Sequence, residues 1–147
     1  MQLVIALVVG LVAASAAQAP GKLQFRARLS PVPLDVAMQN IIAGSGSATA
    51  SLAGDQLTIN GTFMGLRSPA TTAWIHIGTK GIRGPATWIL QVNGGATGTS
   101  GVITGIVTLT PAQIDDFKNS RFYIQLHSEK APDGNLWGWL LPQEVRR

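Results

Sequence analysis

From Leu23 onward the chain alternates apolar and polar side chains, and turn residues interrupt this alternation again and again. The first such segment has apolar residues at every second position: Leu23, Phe25, Ala27 and Leu29. Successive side chains of a β-strand point to opposite faces, so a period of two is typical of strands with one buried face. The pattern therefore favours a sheet protein over a helical one.

The alternation predicts about eight short strands and a single domain, since we find no linker and no internal repeat. Residues 48–52 and 57–63 flank Gly54-Asp55 and predict a hairpin. Further strands are predicted at 71–77, 86–92, 101–109, 121–127 and 135–141. Thr110-Pro111-Ala112-Gln113 has the form of a capping box and predicts one short helix that ends near Asn119. We expect an all-β fold, an antiparallel sandwich or barrel with one short helix.

Composition agrees with this fold and excludes several functions. The chain has 17 glycines, 8 prolines and only 12% charged residues, a profile typical of a sheet protein with many turns. It has no cysteine, so a disulfide framework, a thiolate zinc site and a cysteine nucleophile are excluded. The net charge is +4, but the cations are scattered and form no basic stripe with stacking aromatics. We therefore expect no nucleic-acid partner.

The first 21 residues contain no charged side chain, and Leu3 to Ala17 is nearly all apolar. Ala17-Gln18-Ala19 resembles a small-x-small cleavage site, which favours a secretory signal over residues 1–19. A retained membrane anchor, with membrane contact through Leu3–Ala17 and a hydrophobic helix before the barrel, is the alternative. Either interpretation places the folded domain, residues 22–142, and the basic tail, residues 143–147, outside the cytoplasm, in the periplasm or the extracellular space.

The two histidines lie near the ends of two predicted strands, in Ala-Trp-Ile-His-Ile-Gly (73–78) and Tyr-Ile-Gln-Leu-His-Ser (123–128). By the period of two, Trp74 shares a face with His76, and Gln125 shares a face with His127. If the two strands are neighbours, both imidazoles come to one outer face of the sheet.

These two segments resemble the CHRD domain, a small β-sheet module first described in chordin and also found in many bacterial secreted proteins. The resemblance runs from Phe25 to about Leu141. The motifs that carry it, in family order, are Phe25-Arg26-Ala27-Arg28-Leu29, Gly46-Ser47-Ala48, Leu57, Gly81-x-x-Gly84-Pro85, the start of the helix at Leu109-Thr110, and Tyr123-x-x-x-His127.

The resemblance implies a metal site that this chain retains only in part. The family usually has His-x-His in the first segment, and with the histidine of the second segment this gives three imidazoles suited to copper or zinc. Here Trp74 stands at the first position, and an indole N–H cannot ligate a metal. His76 and His127 remain as candidate Cu or Zn ligands, with Glu129 as a third. The alternative is that both histidines only brace adjacent strands through hydrogen bonds.

Tryptophans also replace polar residues of the family in the last strand. The family runs Gly-Glu-Ile-Arg-Gly-Gln where this chain has Gly134-Asn135-Leu136-Trp137-Gly138-Trp139. Trp137 and Trp139 share a face, and Trp74 is expected on the same sheet. We predict that these three rings form a partner-binding surface. The alternatives are that the rings pack against a loop of the same chain, or that they bind a glycan with the help of Gln125, Asn135 and Gln143.

No residues of this chain form a recognisable catalytic set. Its serines lie in runs such as 44–47 and never in the Gly-x-Ser-x-Gly turn of a nucleophile. The leading hypothesis is therefore a non-enzymatic exported subunit, without a cofactor, that docks on a protein of an envelope or membrane assembly. The alternative is a secreted Cu- or Zn-binding module.

Overall fold

The computed structural model describes residues 21–143. The predicted signal or anchor at 1–19 and residues 144–147 of the predicted basic tail lie outside this part. The elements are β1 (Leu23–Pro31), a 3-10 turn (Ala37–Asn40), β2 (Ser45–Ala53), β3 (Gln56–Met64), β4 (Ala70–Ile77), β5 (Ala86–Asn93), β6 (Gly101–Thr108), α1 (Pro111–Lys118), β7 (Phe122–Ser128), β8 (Ala131–Trp139) and β9 (Leu141–Pro142).

The strands form a closed antiparallel barrel. Their spatial order is β1-β2-β3-β6-β5-β4-β7-β8, and β8 pairs with β1 again, while the short β9 adds to β1. This confirms the all-β fold with eight main strands and one helix, and the closure makes it a barrel. In this ring β5 lies opposite β1, because β2, β3 and β6 separate them on one side and β8, β7 and β4 on the other.

Inward-facing side chains fill the barrel. Phe25, Ala27 and Leu29 of β1 are buried as the alternation predicts, whereas Leu23 at the start of the strand is exposed. Phe117 of α1 packs its ring 4.1 Å from that of Phe25, so the helix contributes directly to the core. Apolar burial of this kind is the main source of the stability of such a fold.

The helix begins where the capping box predicts. The side-chain hydroxyl of Thr110 accepts a hydrogen bond from the backbone N–H of Gln113, and Gln113 Oε1 accepts one from the backbone N–H of Thr110 at 2.9 Å. Within residues 21–143 no helix is long and apolar enough to cross a membrane.

One strand boundary differs from the prediction. β8 begins at Ala131 rather than at residue 135, although Pro132-Asp133-Gly134 has the composition of a turn. Gly134 has a φ of +131°, a backbone conformation that residues other than glycine rarely adopt. The strand therefore continues through this segment with a local irregularity, and Asp133 lies within it.

Candidate functional site: an aromatic and histidine cluster

Strand pairing brings the two histidine segments together on the outside of the barrel. β4 pairs with β7 so that Trp74 lies opposite Gln125 and His76 lies opposite Tyr123. β7 in turn pairs with β8 so that Gln125 lies opposite Trp137. The two strands are therefore neighbours, which is the condition for both imidazoles to lie on one outer face of the sheet. We call the resulting group the aromatic–histidine cluster: His76, Tyr123, Gln125, His127, Trp137 and Trp139.

Tyr123 is the centre of the cluster and is completely buried. The His76 ring stacks on it with centroids 4.7 Å apart, and the Trp139 ring lies 4.5 Å away. Trp137 meets Trp139 edge-on at 4.8 Å. Offset and edge-on contacts at these distances are favourable for aromatic rings, so the cluster forms a second apolar layer outside the barrel wall.

The loop between β4 and β5, residues 78–85, covers this layer. The Tyr123 hydroxyl accepts a hydrogen bond from Gly84 N at 2.9 Å and donates one to Gly84 O at 3.1 Å. Trp139 Nε1 donates to Gly78 O at 3.2 Å. A Cβ on Gly84 would lie 1.9 Å from Ile77 O, so only glycine allows the loop to approach this closely.

The three tryptophans differ in exposure. Trp139 is only 9% exposed because the loop covers it. Trp137 is half-buried: the Arg83 guanidinium lies 5.9 Å from its ring centroid, and it packs against the small cluster formed by Val32, Ile42 and Ala131. Trp74 is half-buried and lies opposite Ile89 of β5. The expected surface of three exposed indoles is therefore wrong for Trp139, whose ring packs inside the monomer.

Two of the amides considered for glycan binding are also inside the molecule. Asn135 is fully buried and its Nδ2 donates to Ser128 Oγ at 2.8 Å. Gln125 is buried and its Nε2 donates to Asp133 O at 3.0 Å. Gln143 is exposed, but it lies beside β1 rather than in the cluster. The three amides are thus not brought together.

Each histidine is held through its Nδ1 atom by a backbone carbonyl. His76 Nδ1 lies 2.9 Å from Gly84 O, and His127 Nδ1 lies 2.7 Å from Pro132 O. A carbonyl only accepts, so each Nδ1 carries a proton, and in a neutral imidazole of this kind the Nε2 keeps a lone pair. Within residues 21–143, His76 Nε2 and Gln125 Oε1 are buried without a hydrogen-bond partner.

Burial lowers the pKa of His76 below its usual value, and the positive charges of His127 and Arg83 act in the same direction. The hydrogen bond to Gly84 opposes the shift but does not cancel it. Since desolvation disfavours the charged form of an imidazole, His76 is neutral at neutral pH. Its Nε2 is therefore an acceptor without a donor.

The structure does not bring Glu129 to the two histidines. Across residues 21–143 there is no group of three or more His, Cys, Asp or Glu side chains that could hold a metal ion. The predicted set of His76, His127 and Glu129 is therefore not assembled, because Glu129 is exposed beyond the end of β7.

The family model of the CHRD domain matches residues 25–140. The chain belongs to the CHRD family. In this CHRD domain the match extends from β1 through β8 and includes both histidine segments, so it covers nearly all of the barrel. No curated protein and no solved structure matches the chain.

Sequence reasoning missed two exposed apolar residues, Ile89 on β5 and Ile106 on β6. Both lie in segments where neighbouring positions are apolar as well, Trp88-Ile89-Leu90 and Ile106-Val107. Alternation cannot tell which side of such a segment faces the core. The usable signal was the lack of any charged residue in either strand.

Proposed function

We propose that this CHRD domain is a non-enzymatic exported subunit that docks on a protein of an envelope or membrane assembly. The docking surface is the outer side of β3, β6, β5 and β4, which we call the neutral face. One observation carries the proposal: these four strands contain no Lys, Arg, Asp or Glu and yet expose large apolar side chains. The solvent side of an antiparallel sheet is normally polar, and charged side chains are among the usual means of blocking unwanted association.

Large apolar side chains are exposed on this face. Ile89, Met64 and Ile106 are 60%, 61% and 65% exposed. Ile89 and Ile106 line one shallow groove together with Thr58, Asn60, Gln91 and Thr104. Trp74 extends the apolar surface onto β4, since it lies opposite Ile89. An apolar surface with a neutral polar rim has the anatomy of a protein interface, whose core is depleted of charge and enriched in aromatic residues.

The predicted role of the tryptophans changes accordingly. Trp74 remains part of the proposed interface, whereas Trp137 lies at its margin, beyond Gln125 and under Arg83. Trp139 supports the fold instead. Substituting Trp139 would therefore not test docking, because the variant loses its internal packing.

Docking is tested with the double variant Ile89→Asp plus Ile106→Asp, purified gently from its native source. Both side chains are exposed, so we expect an intact fold and loss of the stoichiometric companion protein. Two charges at the centre of an interface should cost about 2 kcal/mol or more, roughly 30-fold in Kd. The matched control is Gln24→Asp, which adds a charge at an exposed position of β1, on the opposite side of the barrel from β5. Unchanged co-purification of the double variant, or equal loss in the control, would contradict the proposal.

Metal binding is a second candidate, favoured by the unpaired acceptors of the aromatic–histidine cluster. We propose that His76 Nε2 and His127 Nε2 would hold copper or zinc. His127 lies four residues beyond Tyr123, the β7 partner of His76, so both imidazoles would have to turn toward Gln125 between them. Imidazole suits both metals, and an Nδ1–H bound to a backbone carbonyl is the usual support of a ligating histidine. His76 Nε2 is covered by its neighbours, so an ion reaches it only if residues 78–85 move.

Calorimetric titration with Cu²⁺ and Zn²⁺ tests this candidate. We expect binding by the wild-type protein and a loss of at least about tenfold in affinity for His76→Ala and for His127→Ala, since even the loss of a group that only supports a ligand typically costs this much. Circular dichroism of each variant controls for folding. The same affinity in the wild-type protein and both variants would contradict a metal site at His76 and His127.

A further inference from the structure

The side of the barrel opposite the neutral face is basic. The outward residues of β1 include Arg26 and Arg28, which are two apart in one strand and both exposed. Their neighbours on β2 are uncharged, since Arg26 lies opposite Thr49 and Arg28 lies opposite Ser47. Neither guanidinium makes a hydrogen bond or an ion pair with any residue from 21 to 143.

Both arginines line an open groove of about 810 Å³ together with Gly46, Ser47, Leu141, Pro142 and Gln143. A neighbouring groove shares Pro142 and Gln143 and is lined by Lys22, Leu23, Gln24, Phe25 and Lys118. No acidic residue lines either groove. Four cations thus follow one side of the barrel, and we call Lys22, Arg26, Arg28 and Lys118 the basic strip.

We propose that the basic strip binds the phosphate groups of anionic phospholipids and places this side of the barrel on a membrane surface. One guanidinium group can donate two parallel hydrogen bonds to two oxygens of a phosphate, so its shape as well as its charge suits this ligand. Cations near an anionic leaflet each add about 1 kcal/mol to binding, roughly fivefold in partitioning. Charge complementarity therefore makes the strip a match for such a surface.

Leu23 favours a lipid surface over a polyanionic glycan. Its side chain is 40% exposed and lies among Lys22, Gln24 and Lys118 in the second groove. An apolar side chain among cations gains free energy at the boundary between headgroups and acyl chains, whereas a hydrated polysaccharide offers it nothing comparable. In sequence, the strip also follows shortly after the apolar run from Leu3 to Ala17.

This inference goes beyond the docking proposal and does not depend on it. A domain bound to a membrane through β1 directs β5 away from that membrane, because the two strands lie on opposite sides of the barrel. The neutral face then points toward the space in which a protein partner is met.

The test measures sedimentation of the full chain with vesicles of phosphatidylcholine, with and without phosphatidylglycerol. Vesicles of phosphatidylcholine alone report any contribution of the apolar N-terminal run, so the increment from phosphatidylglycerol isolates the strip. We expect Arg26→Gln plus Arg28→Gln to reduce this increment roughly 25-fold. Adding Leu23→Asn to this double variant should lower binding to the vesicles with phosphatidylglycerol further. The matched control is Arg67→Gln plus Lys80→Gln, which removes the same charge from exposed loop positions and should leave the increment nearly unchanged.

Three results would overturn the proposal. An equal loss of the phosphatidylglycerol increment in both double variants would mean that net charge alone attracts the protein to the vesicles. No dependence of the wild-type protein on phosphatidylglycerol would leave the strip without a lipid ligand. Binding to a sulfated polysaccharide that needs Arg26 and Arg28, without any dependence on phosphatidylglycerol, would assign the strip to a glycan. None of these measurements uses the protein partner, so their failure is distinguishable from failure of docking.

Discussion

Trp139→Ala is expected to lower the free energy of unfolding by about 3–5 kcal/mol, the usual cost of removing a large buried aromatic side chain. The ring packs on Tyr123 and Trp137, and its Nε1 holds Gly78 O. The substitution therefore leaves a cavity and releases one anchor of the loop at residues 78–85. Chemical denaturation followed by circular dichroism measures the change.

The matched control for this substitution is Trp74→Ala. Trp74 is half-buried on the neutral face, and among residues 21–143 its side chain makes no hydrogen bond, unlike that of Trp139. We expect a smaller loss, about 1 kcal/mol, since Trp74 is less buried than Trp139 and anchors no loop. Equal losses in the two variants would contradict the division of the tryptophans into a structural ring and a docking ring.

Gly138→Ala is expected to destabilise the barrel by about 3 kcal/mol. A Cβ at this position would lie 2.2 Å from Arg28 O and 2.9 Å from Arg28 C, and both atoms belong to the backbone of β1. Backbone atoms cannot turn aside as a side chain does. The register between β1 and β8 consists of Ser30 opposite Trp137 and Pro31 opposite Leu136, so the clash falls at the seam that closes the barrel.

Gly21→Ala serves as the control for this second prediction, because nothing lies within 4 Å of its hypothetical Cβ. We expect a change within about 0.5 kcal/mol there. Thermal unfolding of both variants gives the comparison. Gly138→Ala with wild-type stability would show that β1 and β8 can separate at little cost, and the account of closure would be wrong.

Sequence alone predicted the strands of this fold well because its signal is local. Alternation in the first strand identified Phe25, Ala27 and Leu29 as buried, and the capping box placed the start of α1 correctly. The predicted start of β8, at residue 135, was wrong, because Pro132-Asp133-Gly134 consists of residue types that are common in turns. Pairing with β7 overrides that preference, with Ala131 opposite Ser128.

The candidate site was predictable only in part, since its cover depends on contacts between distant segments. The period of two correctly placed Trp74 with His76 and Gln125 with His127. It could not show that residues 78–85 fold over Tyr123, because the bond from Gly84 to Tyr123 joins positions 39 residues apart. Because this loop covers Trp139, Trp139 is less exposed than Trp74.

The location of the charges escaped sequence reasoning for a similar reason. A low charged fraction is visible in the composition, and Arg26 and Arg28 can be read directly in the sequence. Only barrel closure shows that Arg26 and Arg28 lie opposite Ile89 across the ring. The two faces therefore acquire their contrast, one basic and one neutral, from topology rather than from any local motif.

Photo-crosslinking from the neutral face tests the central claim most directly. A photoreactive phenylalanine analogue is placed at Ile89 in one protein and at Gln24 of β1 in another, both at exposed outward positions, and each is irradiated in its native assembly. The account predicts one stoichiometric protein adduct from position 89 and none from position 24, which lies on the opposite side of the barrel. Absence of an adduct at position 89, or the same adduct from both positions, would contradict it.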